Sequence, residues 1–192
     1  MKFSERIIQI ANFIEDGSSC FDVGADHGYL ENYLSNYRNI HKILAVENKI
    51  GPFSSLKNNT CGLKNVECSF SSGLDNYNEQ YDTVIMTGMG GKLIINLLKE
   101  HPDKLKFIKN LIIGPQKNID EVRKDLLQLG FIINKEAIVK ENNKYYFIIH
   151  LIHGIGVSYS DDELQFGYNV INKELQKEYI DYVNNIKSKY QK

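Results

Sequence analysis

With 192 residues, 42% of them hydrophobic, the chain is long enough to bury one substantial core plus a small appendage, and too short for two full domains. A formal net charge of -1 excludes a globally basic nucleic-acid binder while leaving room for a local basic face. No apolar run of about 18 residues is present to span a membrane, the first residues lack an apolar signal core, and the three cysteines, Cys20, Cys61 and Cys68, have no C-x-x-C spacing. The expectation is a cytoplasmic protein with reduced core thiols and no metal site.

Phe3, Ile7, Ala11 and Ile14 share one face of a helix expected over 3–16, with Ser4 as its N-cap and Gly17 as its stop. Arg6 falls on the polar side, where a solvated charge is expected. Cys20-Phe21-Asp22-Val23 reads as the first strand, and Tyr29 to Tyr37 as the first crossover helix. Between them, Gly24-Ala25-Asp26-His27-Gly28 has the make-up of a ligand loop: glycines allow close backbone approach, and the N–H groups of the helix point at the same spot. The spacing is not that of a dinucleotide fingerprint, because Asp26 and Tyr29 stand where the second and third glycines belong. A carboxylate at Asp26 would repel a pyrophosphate by roughly one to several kcal/mol. S-adenosylmethionine, which has a sulfonium, an ammonium, a ribose diol and no phosphate, suits Asp22 and Asp26 better.

Ile43 to Glu47 is a short apolar run ending in an acid, 19 residues beyond Gly28. Glu47 is placed to grip a ribose diol, its plainer alternative being a solvated strand-end acid, and Asn48 follows on the adenine side. Gly51-Pro52 opens a helix running to about Cys61. Val66 to Phe70 reads as the third strand and Ser71-Ser72-Gly73-Leu74 as its exit loop. Tyr81 to Met86 reads as the fourth strand, after which Thr87-Gly88-Met89-Gly90-Gly91 opens a helix over Lys92 to Leu98. This is no triphosphate loop, since Leu93 rather than Ser or Thr follows Lys92. Phe107 to Ile113 reads as the fifth strand, leading into Gly114-Pro115-Gln116 and a helix over Ile119 to Leu129 that Gly130 stops. Phe131 to Lys140 and Tyr145 to Ile152 then read as two strands of a hairpin turning at Glu141-Asn142-Asn143.

Strands alternating with helices and closing in a hairpin predict an α/β fold. The layout is that of a class I, Rossmann-like methyltransferase: a mostly parallel seven-stranded sheet with an antiparallel last strand. The opening loop, Glu47, Ser72-Gly73, the Gly88 cluster and Pro115-Gln116 then gather at the carboxyl ends of the strands. From Ser158 a polar helix is expected, with Leu164, Tyr168, Ile171, Leu175, Tyr179, Tyr182 and Ile186 three and four apart and Asp161 or Asp162 as its cap. The expected organisation is a methyltransferase domain over 1–157 and a C-terminal helical appendage over 158–192.

Asp22-Val23-Gly24-Ala25-Asp26-His27-Gly28-Tyr29-Leu30, Gly51-Pro52, Ser72-Gly73-Leu74, Thr87-Gly88-Met89-Gly90-Gly91 and Leu111-Ile112-Ile113-Gly114-Pro115-Gln116 together resemble the bacterial tRNA (adenine(22)-N1)-methyltransferases. The resemblance runs over roughly residues 3 to 153 and includes Lys135 to Tyr145. It implies a class I enzyme that takes methyl from S-adenosylmethionine and places it on N1 of an adenine in tRNA, and a monomer is expected. By matching motif it implies that Asp22, Gly24, Asp26, Glu47, Ser72, Gly73, Gly88 and Met89 surround the cofactor. Asp26, His27 and Tyr29 become the catalytic candidates, and Tyr29, Lys92, Pro115 and Gln116 the substrate-binding ones.

Plainer readings stand beside these: Asp26 as a helix cap, His27 as a loop residue, Tyr29 as core packing. Lys92, Lys104, Lys106, Lys109, Lys117, Arg123 and Lys124 are candidates for phosphate contact, their alternative being ordinary solvated surface. The chain departs from the family pattern at Glu31 (usually proline), Ser72 (usually an acid), Thr87 (usually alanine) and Gly114 (usually glutamine). Its appendage is expected to hold little more than the first helix of the family's longer helical hairpin. Two other readings remain: a methyltransferase of a small molecule, and a cofactor-binding protein that has lost catalysis.

Overall fold

The computed structural model of the chain describes residues 2–167 and 177–190, the last four of these in backbone only. Its strands are β1 (Ser19–Val23), β2 (Lys42–Glu47), β3 (Val66–Phe70), β4 (Thr83–Thr87), β5 (Asn110–Gly114), β6 (Phe131–Glu141) and β7 (Lys144–His153). They form one seven-stranded sheet in the order β3-β2-β1-β4-β5-β7-β6. The first five pair in parallel, and β7 runs antiparallel to both β5 and β6. This is the expected class I layout. The reversal is made by Asn142 and Asn143, at φ 50° and 60°, the two-residue left-handed turn that matches strand twist. It returns β7 into the gap beside β5 and leaves β6 at the edge.

All of β1 is buried because helices cover both faces of the sheet. These helices are α1 (Glu5–Asn12), α2 (Tyr29–Tyr37), α3 (Ile50–Asn59), α4 (Gly91–Lys99), α5 (Pro102–Leu105) and α6 (Ile119–Gln128). On one face Phe21, Val46, Val84 and Met86 pack with Ile94 and Leu98 of α4 and Val122 and Leu126 of α6. On the other, Ile10 and Ala11 of α1, the following Ile14, and Leu30 and Leu34 of α2 pack with Cys20, Ile43, Ile85 and Ile112.

Three of the boundaries that shift from expectation do so for identifiable local reasons. Helix α1 stops at Asn12 because the Arg38 guanidinium donates to the Ala11 carbonyl and, at 2.8 Å, to that of Ile14, satisfying groups another turn would have used. Strand β4 starts at Thr83 because the Tyr77 hydroxyl donates at 2.9 Å to the Tyr81 carbonyl, which therefore joins no ladder. Strand β5 starts at Asn110 because Pro102 initiates α5, leaving Phe107 37% exposed.

Beyond the sheet, α7 (Asp161–Phe166) and α8 (Lys177–Tyr190) replace the single expected helix. Gly167, at φ 116°, ends α7. The cap is Ser160 rather than Asp161 or Asp162: its hydroxyl accepts from the Glu163 N–H while the Glu163 carboxylate accepts from the Ser160 N–H. Tyr168, Ile171 and Leu175 lie outside the described residues. Tyr179 and Tyr182 pack against Ile138 and Phe147, so α8 covers the β6–β7 hairpin. Of the three cysteines only Cys20 is a core thiol; Cys68 is half-buried and Cys61 is exposed.

Candidate active site

The carboxyl ends of β1, β2 and β4 open into a cleft of about 510 Å³. Its floor is the turn after β1. The Gly24 and Ala25 N–H groups donate to the Val46 carbonyl at 2.8 and 3.1 Å, tying this turn to the end of β2. Gly24 has φ 74°, a backbone conformation that suits glycine, and its bare Cα lets the Met89 side chain of the loop after β4 lie close, an added Cβ standing 3.1 Å from Met89 Cε.

Two buried carboxyl groups flank the floor. Asp22, 4% exposed, sits within β1, and Glu47, 7% exposed, ends the neighbouring β2. Glu47 Oε1 accepts from the Asn48 and Lys49 N–H groups, both at 2.9 Å, which fixes its orientation. Burial, reinforced by the charge of Glu47, pushes the Asp22 carboxyl up to about 6, with Glu31 acting in the opposite sense. Glu31, on α2 behind the turn, is wholly enclosed, and burial followed by the charge of Asp22 pushes its carboxyl well above the ordinary range. Asn48 donates to the Ser72 hydroxyl at 3.4 Å across the rim.

At the mouth stand Asp26, His27 and Tyr29. Asp26 adopts φ 52°, and its carboxylate lies 3.6 Å from His27 Nε2. The His27 and Tyr29 rings are 5.8 Å apart, and Tyr29 is 44% exposed. Asp26 caps no helix, since the N-cap of α2 is Gly28 without a side-chain bond, and Tyr29 is not core packing. Asn59 of α3 donates to the His27 carbonyl at 2.8 Å and steadies the loop.

Asp22, Gly24, Asp26, His27, Tyr29, Glu47, Asn48, Ser72, Gly73, Gly88 and Met89 all line this cleft. Lys92, Pro115 and Gln116 do not. Pro115 is buried, Lys92 points outward beside the cleft-lining Leu93, and Gln116 lines a second cavity. Arg6 is corrected in the other direction. Instead of a solvated charge it lines the cleft, with its guanidinium 4.8 Å from the Tyr146 ring centroid. The spacing of α1 gave the polar face of Arg6 but not the β7 residue opposite it. Two expected surface cations are also committed elsewhere: Arg123 is buried against Glu136, and Lys104 donates to the Leu74 and Asp75 carbonyls.

Residues 3–149 match the family described as a methyltransferase domain. The chain belongs to that family. Among its relatives, the Bacillus subtilis tRNA (adenine(22)-N(1))-methyltransferase is 29% identical over 153 residues, a match taking in 78% of this chain and 64% of the relative. The chain thus matches less than two thirds of that curated relative's length. Solved methyltransferase structures align more completely. A Streptococcus pneumoniae protein described as a candidate tRNA (m1A22) methyltransferase, in complex with S-adenosyl-L-methionine, is 30% identical with a TM-score of 0.92, covering 99% of this chain and 90% of that one. The B. subtilis m1A22 tRNA methyltransferase TrmK is 26% identical with a TM-score of 0.84, covering 99% and 86%.

Proposed function

We propose that the protein transfers a methyl group from S-adenosylmethionine to N1 of adenine 22 in tRNA. The observation that carries this reading is the pairing, in one cleft, of a buried acidic floor with an exposed His27–Tyr29 mouth. The floor fits the cofactor. Its two carboxyl groups suit a cationic, diol-bearing and phosphate-free molecule, and the space around Gly88, where an added Cβ would meet nothing within 4 Å, leaves room for it. Asp22, Gly24, Glu47, Asn48, Ser72, Gly73, Gly88 and Met89 would hold it, Glu47 taking the ribose diol with its fixed carboxylate. When bound, S-adenosylmethionine supplies an electrophilic methyl group.

Adenine N1 carries an in-plane lone pair, so no residue need remove a proton before reaction, and positioning dominates. N1 lies on the Watson–Crick edge, so the target base must be unpaired and drawn into the mouth, where Tyr29 orients it. The methylated ring is cationic at first. Asp26, beside His27, offsets that charge or accepts from the exocyclic amine. The free thiols fit a reducing compartment such as the cytoplasm. The test is transfer of tritiated methyl to unmodified tRNA, followed by mapping of the labelled nucleoside. Label in 1-methyladenosine at position 22 is expected. Cofactor binding by calorimetry with no transfer to any tRNA would reject the reading.

A further inference from the structure

A second cavity, of about 490 Å³, lies between the turn after β5, the tip of the β6–β7 hairpin and α8. Its size falls in the range of small-ligand sites, roughly 300–1,000 Å³. Lys117 and Lys144 supply cations, Tyr145, Tyr146 and Tyr182 supply aromatic rings, and among the described residues no carboxylate lines it. The nearby acid Asp181 is engaged by Lys140 at 3.5 Å.

This cavity adjoins the candidate active site at two points. Tyr146 lines it while stacking on Arg6, which lines the active-site cleft, so this pair forms the wall between the two. Gln116, also in its lining, donates its N–H at 3.0 Å to the carbonyl of Met89 in the cleft. Cations without acids call for an anionic ligand, and the half-buried tyrosine rings of the lining give a flat one apolar surface to pack on. An unpaired nucleotide meets both demands, its base against tyrosine and its phosphate against lysine.

Resting on the proposed tRNA methyltransferase activity, we infer that this cavity holds an unpaired tRNA nucleotide flanking the target adenine, the strand crossing the Arg6–Tyr146 wall between the two sites. The placement also explains why Gln116 lies outside the cleft: it contacts a neighbour of the reacting base.

The test measures fluorescence anisotropy of labelled unmodified tRNA on the full chain, comparing wild type with Lys117→Glu/Lys144→Glu and with Tyr146→Leu. Calorimetry with S-adenosylmethionine and circular dichroism run alongside. Binding of tRNA at least tenfold weaker is expected for each variant, with cofactor affinity within twofold of wild type. The salt slope of the lysine variant should flatten by roughly 1.4, about 0.7 for each phosphate no longer neutralised. Wild type that binds and methylates tRNA, together with variants binding it within twofold of wild type, overturns the cavity assignment alone. Wild type that binds no tRNA overturns the functional reading and the cavity with it. Competition by adenosine monophosphate or by polyglutamate as strong as that of a single-stranded RNA also overturns the assignment, making the site one for free nucleotides or for anions in general.

Discussion

Glu31 is sealed behind Asp22, so two buried carboxyl groups face each other in one enclosed space directly beneath the candidate cofactor floor. Burial comes first among the causes that raise both. The folded state therefore holds these protons more tightly than the unfolded chain does. Stability from the pair is full below the unfolded value near 4 and falls as pH rises through about 6, where Asp22 ionises, and beyond, where Glu31 does. Glu31→Gln keeps the shape and removes one ionisation. It is expected to be more stable than wild type above pH 6, by on the order of 1–3 kcal/mol, and so to melt higher there, with the gain vanishing toward pH 4. Melting curves for the two proteins that stay parallel from pH 4 to 9 would reject this account.

Gly91 opens α4 where it crosses α6. A Cβ there would stand 2.3 Å from Val122 Cγ2 and 2.5 Å from the Lys117 carbonyl oxygen, and a backbone atom cannot step aside cheaply. Gly91→Ala is expected to destabilise by about 1–3 kcal/mol through overpacking. Gly90→Ala is the control, because its Cβ meets nothing within 4 Å and its φ of -67° suits alanine. Urea unfolding of both variants checks the contrast, and equal midpoints would show that the helices adjust freely.

The parts of this fold legible in the sequence were those carried by short-range pattern. The loop after β1, the acid ending β2 and the glycines after β4 each follow a strand, and strand ends in a parallel sheet converge. Asn142-Asn143 announced its own turn. What stayed hidden depends on partners distant in sequence. Arg6 required knowing that β7 passes opposite α1, and Arg123 looked like a surface cation until β6 brought Glu136 against it. Glu31 shares the buried face of α2 with Leu30 and Leu34, a signal present in the spacing but masked by its charge.

Arg123 is the anchor of that last stretch of chain. Its guanidinium pairs with buried Glu136, donates at 2.7 Å to the Leu164 carbonyl of α7 and lies over the Phe147 ring. Arg123→Met removes the cation paired with a buried carboxylate and is expected to destabilise by about 3–5 kcal/mol. Arg123→Met/Glu136→Met should recover most of that loss, because neither charge then remains enclosed. Chemical unfolding of the two variants decides, and a double variant no more stable than the single one would count against the pair as the source of the effect.

Tyr29 offers the sharpest separation of function from stability at the mouth of the cleft. Its ring is 44% exposed, so truncation should shift stability by no more than about 0.5 kcal/mol. A ring that orients an extruded base contributes roughly 1–3 kcal/mol by stacking. Tyr29→Ala is therefore expected to lower kcat/KM for tRNA by roughly 10- to 100-fold, with S-adenosylmethionine affinity and melting temperature little changed. Tyr29→Phe keeps the ring face and should stay within a few-fold of wild type. If the alanine variant turns over tRNA at the wild-type rate, the base is held by other groups. If the phenylalanine variant falls as far as alanine, the hydroxyl rather than the ring face makes the decisive contact.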